Sequence, residues 1–213
     1  MRLKSQKNYT TGMATKNAYT LIEVMVAVGI FTIVIAAPTG FLVSSIKGQQ
    51  KALASQEVLD ETSYALEYIS RSLRMAKKEL NCTGKLEPTT CACLKSVGYG
   101  TNYELTREGR GIKFTNYQNQ CQEFFLDIND NRLKGAKDGG EAIPLTSDDL
   151  EIVSFMVNII GERQTTLDGY IDNKQPKITL FLEVKGIESA RPELQPKIQI
   201  QTTISQRNLD VTY

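Results

Sequence analysis

Histidine and tryptophan are both absent from this chain of 213 residues. Without histidine, Ser-His-Asp and Cys-His catalytic arrangements are excluded, and so are metal sites that use imidazole ligands. The chain also lacks an excess of charge of either sign, since 25 basic residues face 24 acidic ones. A strongly basic footprint is therefore missing, and no nucleic-acid partner is predicted. The composition argues against most hydrolases.

Charge is also absent from residue 24 to residue 46, a run of 23 residues. As a helix that rises about 1.5 Å per residue, such a run is long enough to cross a bilayer core of about 30 Å. Four basic side chains precede the run: Arg2, Lys4, Lys7 and Lys16. No acidic residue precedes Glu23. The positive-inside rule therefore predicts one membrane span, with the N-terminus in the cytoplasm and the rest of the chain outside.

Glu23 stands at the edge of the apolar run. An unpaired carboxylate in hydrocarbon costs about 2.5 kcal/mol or more. An acid in this position is therefore a functional candidate that needs a cationic partner. The alternative is that Glu23 only marks the interface between lipid and water.

Residues 16–27 read Lys-Asn-Ala-Tyr-Thr-Leu-Ile-Glu-Val-Met-Val-Ala. This segment resembles the class III signal of type IV pilins and type II secretion pseudopilins. The usual form of that signal is Gly, then Phe-Thr-Leu-Ile-Glu, then an apolar helix, and the Thr-Leu-Ile-Glu core matches in full. The sequence departs from it at Ala18, where Gly is usual, and at Tyr19, where Phe is usual.

The resemblance implies a processing site. In that family a membrane prepilin peptidase cleaves before the apolar run and methylates the new amino group, whereas ordinary secretory signals are cut after their apolar region. Cleavage between Ala18 and Tyr19 would remove the basic leader, residues 1–18, and place a methyl group on Tyr19. Met1 and Met13 are both available as the start of that leader.

The resemblance also implies that the apolar helix, residues 19–46, is the assembly element. In the family the carboxylate at the Glu23 position is thought to pair with the N-terminal amine of a neighbouring subunit, which supplies the cation. Pro38 removes a backbone donor, so a kink or a loosened segment is expected near residues 36–40. In the family such a proline lets the helix stretch on assembly, and the alternative is an ordinary proline of a transmembrane helix.

Beyond the span, the helix is predicted to continue over residues 47–80 with an amphipathic pattern. Leucines recur every seven residues, at Leu59, Leu66, Leu73 and Leu80. Charged side chains occupy the other faces. The pattern is typical of a coiled coil or of a helix laid on a sheet. We favour the sheet, because the rest of the chain is β-rich.

Four cysteines lie beyond the helix: Cys82, Cys91, Cys93 and Cys121. An even number in an exported domain favours disulfides. Cys91 and Cys93 are too close in sequence to bridge each other, so each is expected to pair with Cys82 or Cys121, tying the helix end to the first strands. Zinc is the alternative, but the cysteines lack the Cys-x2-Cys spacing of structural zinc sites.

The exported domain, residues 81–213, is predicted to be an irregular cysteine-bearing region followed by antiparallel strands. Apolar alternation and β-branched runs predict strands at 111–115, 122–128, 150–160, 177–184 and 198–205. Each strand would bury one face under the leucine stripe, the row formed by Leu59, Leu66, Leu73 and Leu80. The predicted fold class is α+β, with a long N-terminal helix packed on an antiparallel sheet as in pilins.

Residues 127–131 read Asp-Ile-Asn-Asp-Asn, which resembles the start of a calcium loop. The candidate ligands are Asp127, Asn129 and Asn131. The EF-hand pattern needs Gly at its sixth position and Glu at its twelfth, but Arg132 and Asp138 stand there. We therefore expect a turn and no metal, with calcium as the weaker alternative.

The resemblance implies a structural subunit, of the minor class, in a type IV pilus or a type II secretion pseudopilus. It implies no enzymatic activity and no cofactor. The implied partners are prepilin peptidase, other pilin or pseudopilin subunits, an inner-membrane assembly platform and membrane lipid. The chain would lie in the cytoplasmic membrane as a single-pass protein and enter the filament on assembly. The alternative is an anchored extracytoplasmic binding or enzymatic domain that does not assemble.

Overall fold

The computed structural model describes residues 19–83, 91–161, 174–187 and 195–207. A long helix, α1, spans Leu21–Arg74, and eight strands follow it in the described residues. The chain divides into two compact units, Met1–Lys47 and Gly48–Tyr213. In the second unit the helix packs on antiparallel sheets, so the predicted α+β class is confirmed.

The strands form two antiparallel sheets. The first sheet contains, in spatial order, β1 Tyr103–Thr106, β2 Gly111–Thr115, β3 Cys121–Asp127, β4 Arg132–Lys137 and β5 Ile143–Pro144. The second contains β6 Leu150–Ile160, β7 Lys177–Gly186 and β8 Lys197–Ser205. Strands that are consecutive in sequence are neighbours in space, so each sheet is a simple meander. The Ile152 N–H of β6 donates to the Asn131 carbonyl at 2.8 Å and joins the two sheets.

Five strands lie where the apolar patterns predict them. β2 and β6 have the predicted bounds, and β3, β7 and β8 differ from the prediction by only one or two residues. The prediction omitted β1, β4 and β5. β4 reads Arg-Leu-Lys-Gly-Ala-Lys and has no apolar alternation, while β1 lies in the region that was expected to be irregular.

The core lies between the second half of α1 and both sheets. The helix contributes buried apolar side chains at helical spacing: Val58, Ala65, Leu66, Ile69 and Leu73. β7 contributes the four residues that alternation predicted: Ile178, Leu180, Leu182 and Val184. The first sheet contributes the aromatic rings of Phe114 and Phe124, whose centroids are 5.7 Å apart. One cluster therefore unites the three layers.

The seven-residue leucine repeat misplaces the ends of this buried face. Leu66 and Leu73 are buried, but Leu59 is 41% exposed and Leu80 is 59% exposed. An α-helix turns once every 3.6 residues, so a repeat of seven drifts away from a face that packs on a sheet, and Leu59 falls outside that face. Leu80 lies beyond Arg74, where the helix ends. The expected cover by the whole leucine stripe is therefore wrong at both ends.

The sequence predicts a helix that continues to Leu80. In the structure the helix ends at Arg74, so this prediction is wrong by six residues. Beyond it, the Lys77 N–H donates to the carbonyl of Thr115 at 2.8 Å, at the end of β2. This antiparallel bridge draws the chain onto the first sheet. Long-range pairing therefore overrides the local helical pattern.

The last carbonyls of the helix, which have no partner within it, are satisfied from distant parts of the chain. The Tyr103 hydroxyl donates to the Leu73 carbonyl at 2.7 Å. The Arg207 backbone N–H donates to the Arg74 carbonyl at 2.9 Å. The helix end is thus held by the first strand and by the residues that follow the last one.

Glu79 anchors the segment that follows the helix. Its carboxylate is buried and accepts hydrogen bonds from the backbone N–H groups of Asn81 at 2.9 Å, Cys93 at 2.8 Å and Leu94 at 3.3 Å. A buried carboxylate is costly unless such donors surround it. These bonds hold the cysteine-bearing region against the helix end.

The structure pairs Cys82 with Cys91 and Cys93 with Cys121. This is one of the two arrangements that the sequence left open. Cys93–Cys121 joins the region after the helix to the start of β3, whereas Cys82–Cys91 closes only the short segment between its own two residues. One bridge, and not two, therefore ties the helix end to a strand. All four sulfurs are used in these bonds, so none is left to bind zinc.

The calcium-like segment is the turn between β3 and β4. The ammonium of Lys134 lies 2.7 Å from Asp127 Oδ2 and 2.5 Å from Asp130 Oδ2. Asp127 Oδ1 also accepts from the backbone N–H of Asn129 at 3.0 Å. Asn131 has a left-handed φ of 54°, which asparagine tolerates in turns. The ammonium of Lys134 therefore lies where a calcium ion would have to bind these carboxylates.

The lysine also determines how this turn responds to pH. Its hydrogen bond lowers the pKa of Asp127 below the ordinary 3.8, and the same bond raises the pKa of Lys134 above 10.5. A carboxyl with a lowered pKa contributes stability above its unfolded pKa, and this contribution is lost as the pH falls through the folded value. The lysine contribution is present below 10.5 and is lost as the pH rises through the raised value.

Leu73→Ala tests the assignment of the buried helix face. We expect it to lower the free energy of unfolding by about 2–5 kcal/mol, because it opens a cavity in the core. The control Leu80→Ala removes an exposed side chain and is expected to change that energy by about 0.5 kcal/mol or less. Urea unfolding of the full chain in detergent micelles measures both. Equal losses would mean that the leucine repeat is buried along its whole length.

Lys134→Met tests the turn. We expect a lower melting temperature than wild type at neutral pH. The difference is expected to shrink as the pH falls from 3.8, the ordinary pKa of Asp127, through its lowered pKa in the folded chain. Calcium is expected to leave the wild-type melting temperature unchanged, because Lys134 already faces both carboxylates. Lys95→Met, at an exposed lysine elsewhere, is the control. A rise in the wild-type melting temperature with added calcium would contradict this account.

Candidate functional site

The residues predicted to act in processing and assembly fall in the N-terminal unit, Met1–Lys47. Tyr19 is the first described residue, and α1 begins two residues later. Ala18 and the rest of the leader, residues 1–18, lie outside the described residues. Cleavage between Ala18 and Tyr19 therefore stays a prediction.

Glu23 and Thr20 form a capping box at the start of α1. The Glu23 N–H donates to Thr20 Oγ1, and the Thr20 N–H donates to Glu23 Oε2, each at 3.4 Å. The Thr20 carbonyl accepts the first helical bonds, from the N–H groups of Glu23 at 3.1 Å and Val24 at 3.2 Å. Thr20 is therefore the N-cap. The reciprocal bonds give the Thr20 N–H a partner and the Glu23 N–H a second acceptor.

The capping box gives the Thr-Leu-Ile-Glu core a second role, which the sequence analysis missed. The signal was present, because Thr-x-x-Glu before an apolar run is the sequence pattern of such a box. Glu23 also lies in the first turn, where the helix dipole favours a negative charge. Within a single chain, the carboxylate therefore already has a local hydrogen-bond donor, the Thr20 N–H.

The apolar part of α1 presents side chains to its surroundings on every face. Each large apolar residue from Leu21 to Ile46 is exposed, and Phe31 and Phe41 reach 63% and 78%. A helix that is apolar all round is stable only in lipid or among other apolar elements. Within the described ranges, α1 is the one helix long and apolar enough to cross a membrane.

Two hydroxyl groups inside the apolar run are satisfied by the helix backbone. Thr32 Oγ1 donates to the Gly29 carbonyl at 2.8 Å, and Thr39 Oγ1 donates to the Ile35 carbonyl at 2.8 Å. Hydrocarbon offers no partner for a free hydroxyl, so such bonds to the preceding turn suit a membrane helix.

The helix continues through Pro38 without interruption. The ring of Pro38 removes the N–H that would donate to the Val34 carbonyl. The neighbouring hydroxyl of Thr39 bonds to the preceding turn, a contact that often accompanies bending. Residues 36–40 are helical here, and their stretching on assembly stays a prediction.

Elsewhere, the structure brings no metal site together in the part of the chain it describes. No group of three carboxylate, thiolate or imidazole side chains converges there. Of the calcium candidates, Asp127 and Asn129 bond to each other and Asp127 also bonds to Lys134.

A protein-family comparison identifies the N-terminal segment. The model described as "Prokaryotic N-terminal methylation motif" matches residues 13–37, which include Tyr19, the capping box and the apolar run up to the residue before Pro38. No curated protein and no solved structure gave a match. The resemblance noted in the sequence is confirmed, and this chain carries the prepilin-type signal of type IV pilins and pseudopilins.

Proposed function

We propose that this chain is a structural subunit, of the minor class, in a type IV pilus or a type II secretion pseudopilus. The observation that carries the proposal is the methylation motif at residues 13–37, which leads into an apolar helix exposed on all faces. Such a helix needs lipid before assembly and apolar neighbours after it. The methylation motif itself supports the more general statement that this is a pilin-like protein anchored in a membrane.

Assembly would use heterologous contacts between helices, since contacts of this kind build helical filaments when they do not close. In the filament core, the Glu23 carboxylate would pair with the amine of Tyr19 in a neighbouring subunit. A methylated amine keeps its positive charge, so the pair offsets the cost of removing the carboxylate from water. The capping bonds of 3.4 Å are long, and they leave the carboxylate able to accept that stronger partner.

The proposed topology places the N-terminus in the cytoplasm and the second unit outside. The basic residues before Glu23 support this orientation. The two disulfides support it as well, because disulfides persist mainly in oxidising compartments outside the cytoplasm. The proposed partners are prepilin peptidase, other pilin subunits, an inner-membrane assembly platform and membrane lipid. The chain would act by assembly and not as an enzyme.

Processing is the first test. In a host that has the prepilin peptidase, we expect a mature chain that begins at Tyr19 and carries one added methyl group. Ala18→Leu is expected to stay unprocessed, because a bulky side chain would replace the small one before the cleaved bond. Intact-mass spectrometry of the membrane fraction measures both. An intact wild-type leader would favour the alternative of an anchored domain that does not assemble.

Three variants separate the capping role of Glu23 from its proposed charge pair. Glu23→Gln keeps a side chain that suits the capping box but removes the charge. We expect it to insert normally and to be strongly depleted from sheared filaments, as Glu23→Leu would be. Thr20→Val weakens the cap, by about 0.5–2 kcal/mol, but keeps the charge, and is expected to assemble.

Immunoblots of membrane and filament fractions measure insertion and assembly separately. Normal incorporation of Glu23→Gln would show that Glu23 acts through the cap alone. Loss of assembly in Thr20→Val would lead to the same conclusion.

A further inference from the structure

A cleft of about 430 Å³ opens between α1 and the end of the first sheet that β3, β4 and β5 form. Tyr68 lines it from the helix, Gln122 from β3 and Lys137 from β4. Ile143 and Leu145 line it from β5 and the residue after that strand. All of these residues belong to the second unit. The volume is in the range of small-molecule sites.

The register of β3 and β4 sets the sheet side of this cleft. Gln122 pairs with Lys137, and Phe124 pairs with Gly135. Cross-strand partners project from the same face of a sheet, and residues two apart share that face, so these four lie together. A Cβ at Gly135 would lie 3.3 Å from two ring atoms of Phe124. A side chain at this position would therefore press on that ring and take up part of the cleft.

Hydrogen bonds fix the orientation of the Gln122 amide. Asn116 Oδ1 accepts from the backbone N–H groups of Gln118 and Gln120, each at 2.9 Å, so the other end of the Asn116 amide is its NH2 group. Asn116 Nδ2 then donates to Gln122 Oε1 at 3.3 Å. The remaining group of the Gln122 amide is therefore Nε2, which can only donate.

Gln122 Nε2 has no acceptor in the described part of the chain, although the residue is only 4% exposed. The atom is not sealed in the interior. Among the described side chains, the buried atoms that lack both a partner and solvent contact are Thr115 Oγ1 and Gln206 Oε1. Because Gln122 lines the cleft, its unpaired donor is suited to bind an acceptor there.

The rim of the cleft carries three more polar groups with no partner within the described residues. They are the Tyr68 hydroxyl, the Lys137 ammonium and the Glu141 carboxylate, and all three side chains are exposed. The lysine and the glutamate offset each other, so the rim does not call for a charged ligand. A neutral ligand that has both donors and acceptors can bond all of these groups.

Apolar surface makes up the rest of the lining. Ile143 is 66% exposed, and Leu145 is half-buried. The Tyr68 ring is 39% exposed and packs edge-on against the Phe124 ring, with centroids 5.8 Å apart and planes at 72°. This geometry is favoured between aromatic rings and holds Tyr68 in place. The cleft therefore offers a fixed aromatic surface beside unpaired polar groups.

An extended polypeptide suits this cleft poorly. β5 is the edge strand of the first sheet and spans only Ile143–Pro144. Proline has no backbone N–H, and a short edge strand that contains it resists the addition of another strand. A peptide would therefore find little backbone to pair with at this edge.

We propose that this cleft binds a neutral saccharide. Sugar hydroxyls both donate and accept, and the C–H groups of a sugar are attracted to the negative face of an aromatic ring. One sugar oxygen would accept from Gln122 Nε2, and one C–H face would lie on the Tyr68 ring. Other hydroxyls would bond Lys137 and Glu141. The proposal is independent of assembly through the N-terminal helix.

The test uses the full chain in micelles of a detergent without a sugar headgroup, because such a headgroup would compete. The probes are the methyl glycosides of glucose, galactose, mannose and N-acetylglucosamine. We expect at least one of them to give saturable NMR shifts at the Gln122 side-chain amide and at the Gly140 backbone amide, which also lies in the lining. Added salt is expected to leave the affinity unchanged, because the ligand is neutral.

Gln122→Met keeps the length of the side chain but removes the donor. We expect the affinity for the bound glycoside, measured at Gly140, to fall about tenfold with the loss of one hydrogen bond. The matched control is Gln120→Met, which removes the other acceptor of Asn116 Nδ2, bonded at 3.2 Å, outside the lining. It is expected to lower the unfolding midpoint by a similar amount and to leave the affinity unchanged.

Tyr68→Leu is the second variant, and it removes the flat ring but keeps an apolar side chain. We expect it to weaken binding several-fold. Its control is Tyr64→Leu, at a tyrosine of the same helix that is 75% exposed and outside the lining. This control is expected to bind as wild type does.

Three results would overturn the proposal. The first is the absence of saturable shifts with all four glycosides. The second is an unchanged affinity in both Gln122→Met and Tyr68→Leu. The third is a set of shifts at the same amides with the peptide acetyl-Ala-Ala-Ala-Ala-amide and none with any glycoside, since that would identify a polypeptide site.

Discussion

Burial of one face of the helix between residues 58 and 73 is the constraint on which the second unit depends. The side chains of Ile69 and Leu73 are fully buried in a cluster shared by both sheets. Neither sheet is large, and each has one apolar face that needs a cover. The helix covers the apolar faces of both sheets. Its packing therefore determines where the strands lie. The exposed run from Leu21 to Ile46 has no such cover within its own unit, and a helix of this length and composition is suited to the hydrocarbon of a membrane.

The end of the helix shows how a buried polar junction is satisfied. Tyr103 and Arg207 donate to the last helical carbonyls, Gln206 donates to the Ala76 carbonyl, and Glu79 accepts from the backbone of the cysteine-bearing region. These donors and acceptors come from distant parts of the chain, so the junction forms only when the whole unit is folded.

Sequence reasoning succeeded where a short-range period decides the outcome, and it was wrong or silent where distant contacts decide. The alternation in β7 predicted its buried face correctly, whereas the charged strand β4 had no pattern to detect. The leucine repeat extended the helix too far because the bridge between Lys77 and Thr115 cannot be seen locally. Disulfide pairing likewise stayed open until the fold brought Cys93 to Cys121. The role of Lys134 depends on the hairpin register, which the turn sequence alone does not specify.

At the N-terminus the missed feature was local, and it changes how Glu23 is understood. A carboxylate at the edge of an apolar run is costly in hydrocarbon unless it has a hydrogen-bonding or charged partner. The capping box offers another partner, because the Thr20 N–H donates to Glu23 Oε2 within one chain and the N-terminal end of the helix dipole favours a negative charge there. On the proposed assembly, the same carboxylate would exchange this local bond for the amine of a neighbour. The Thr-x-x-Glu spacing therefore fits both conditions, since Glu23, which bonds the N-cap residue Thr20 in the single helix, is also the carboxylate that we propose to pair when helices come together.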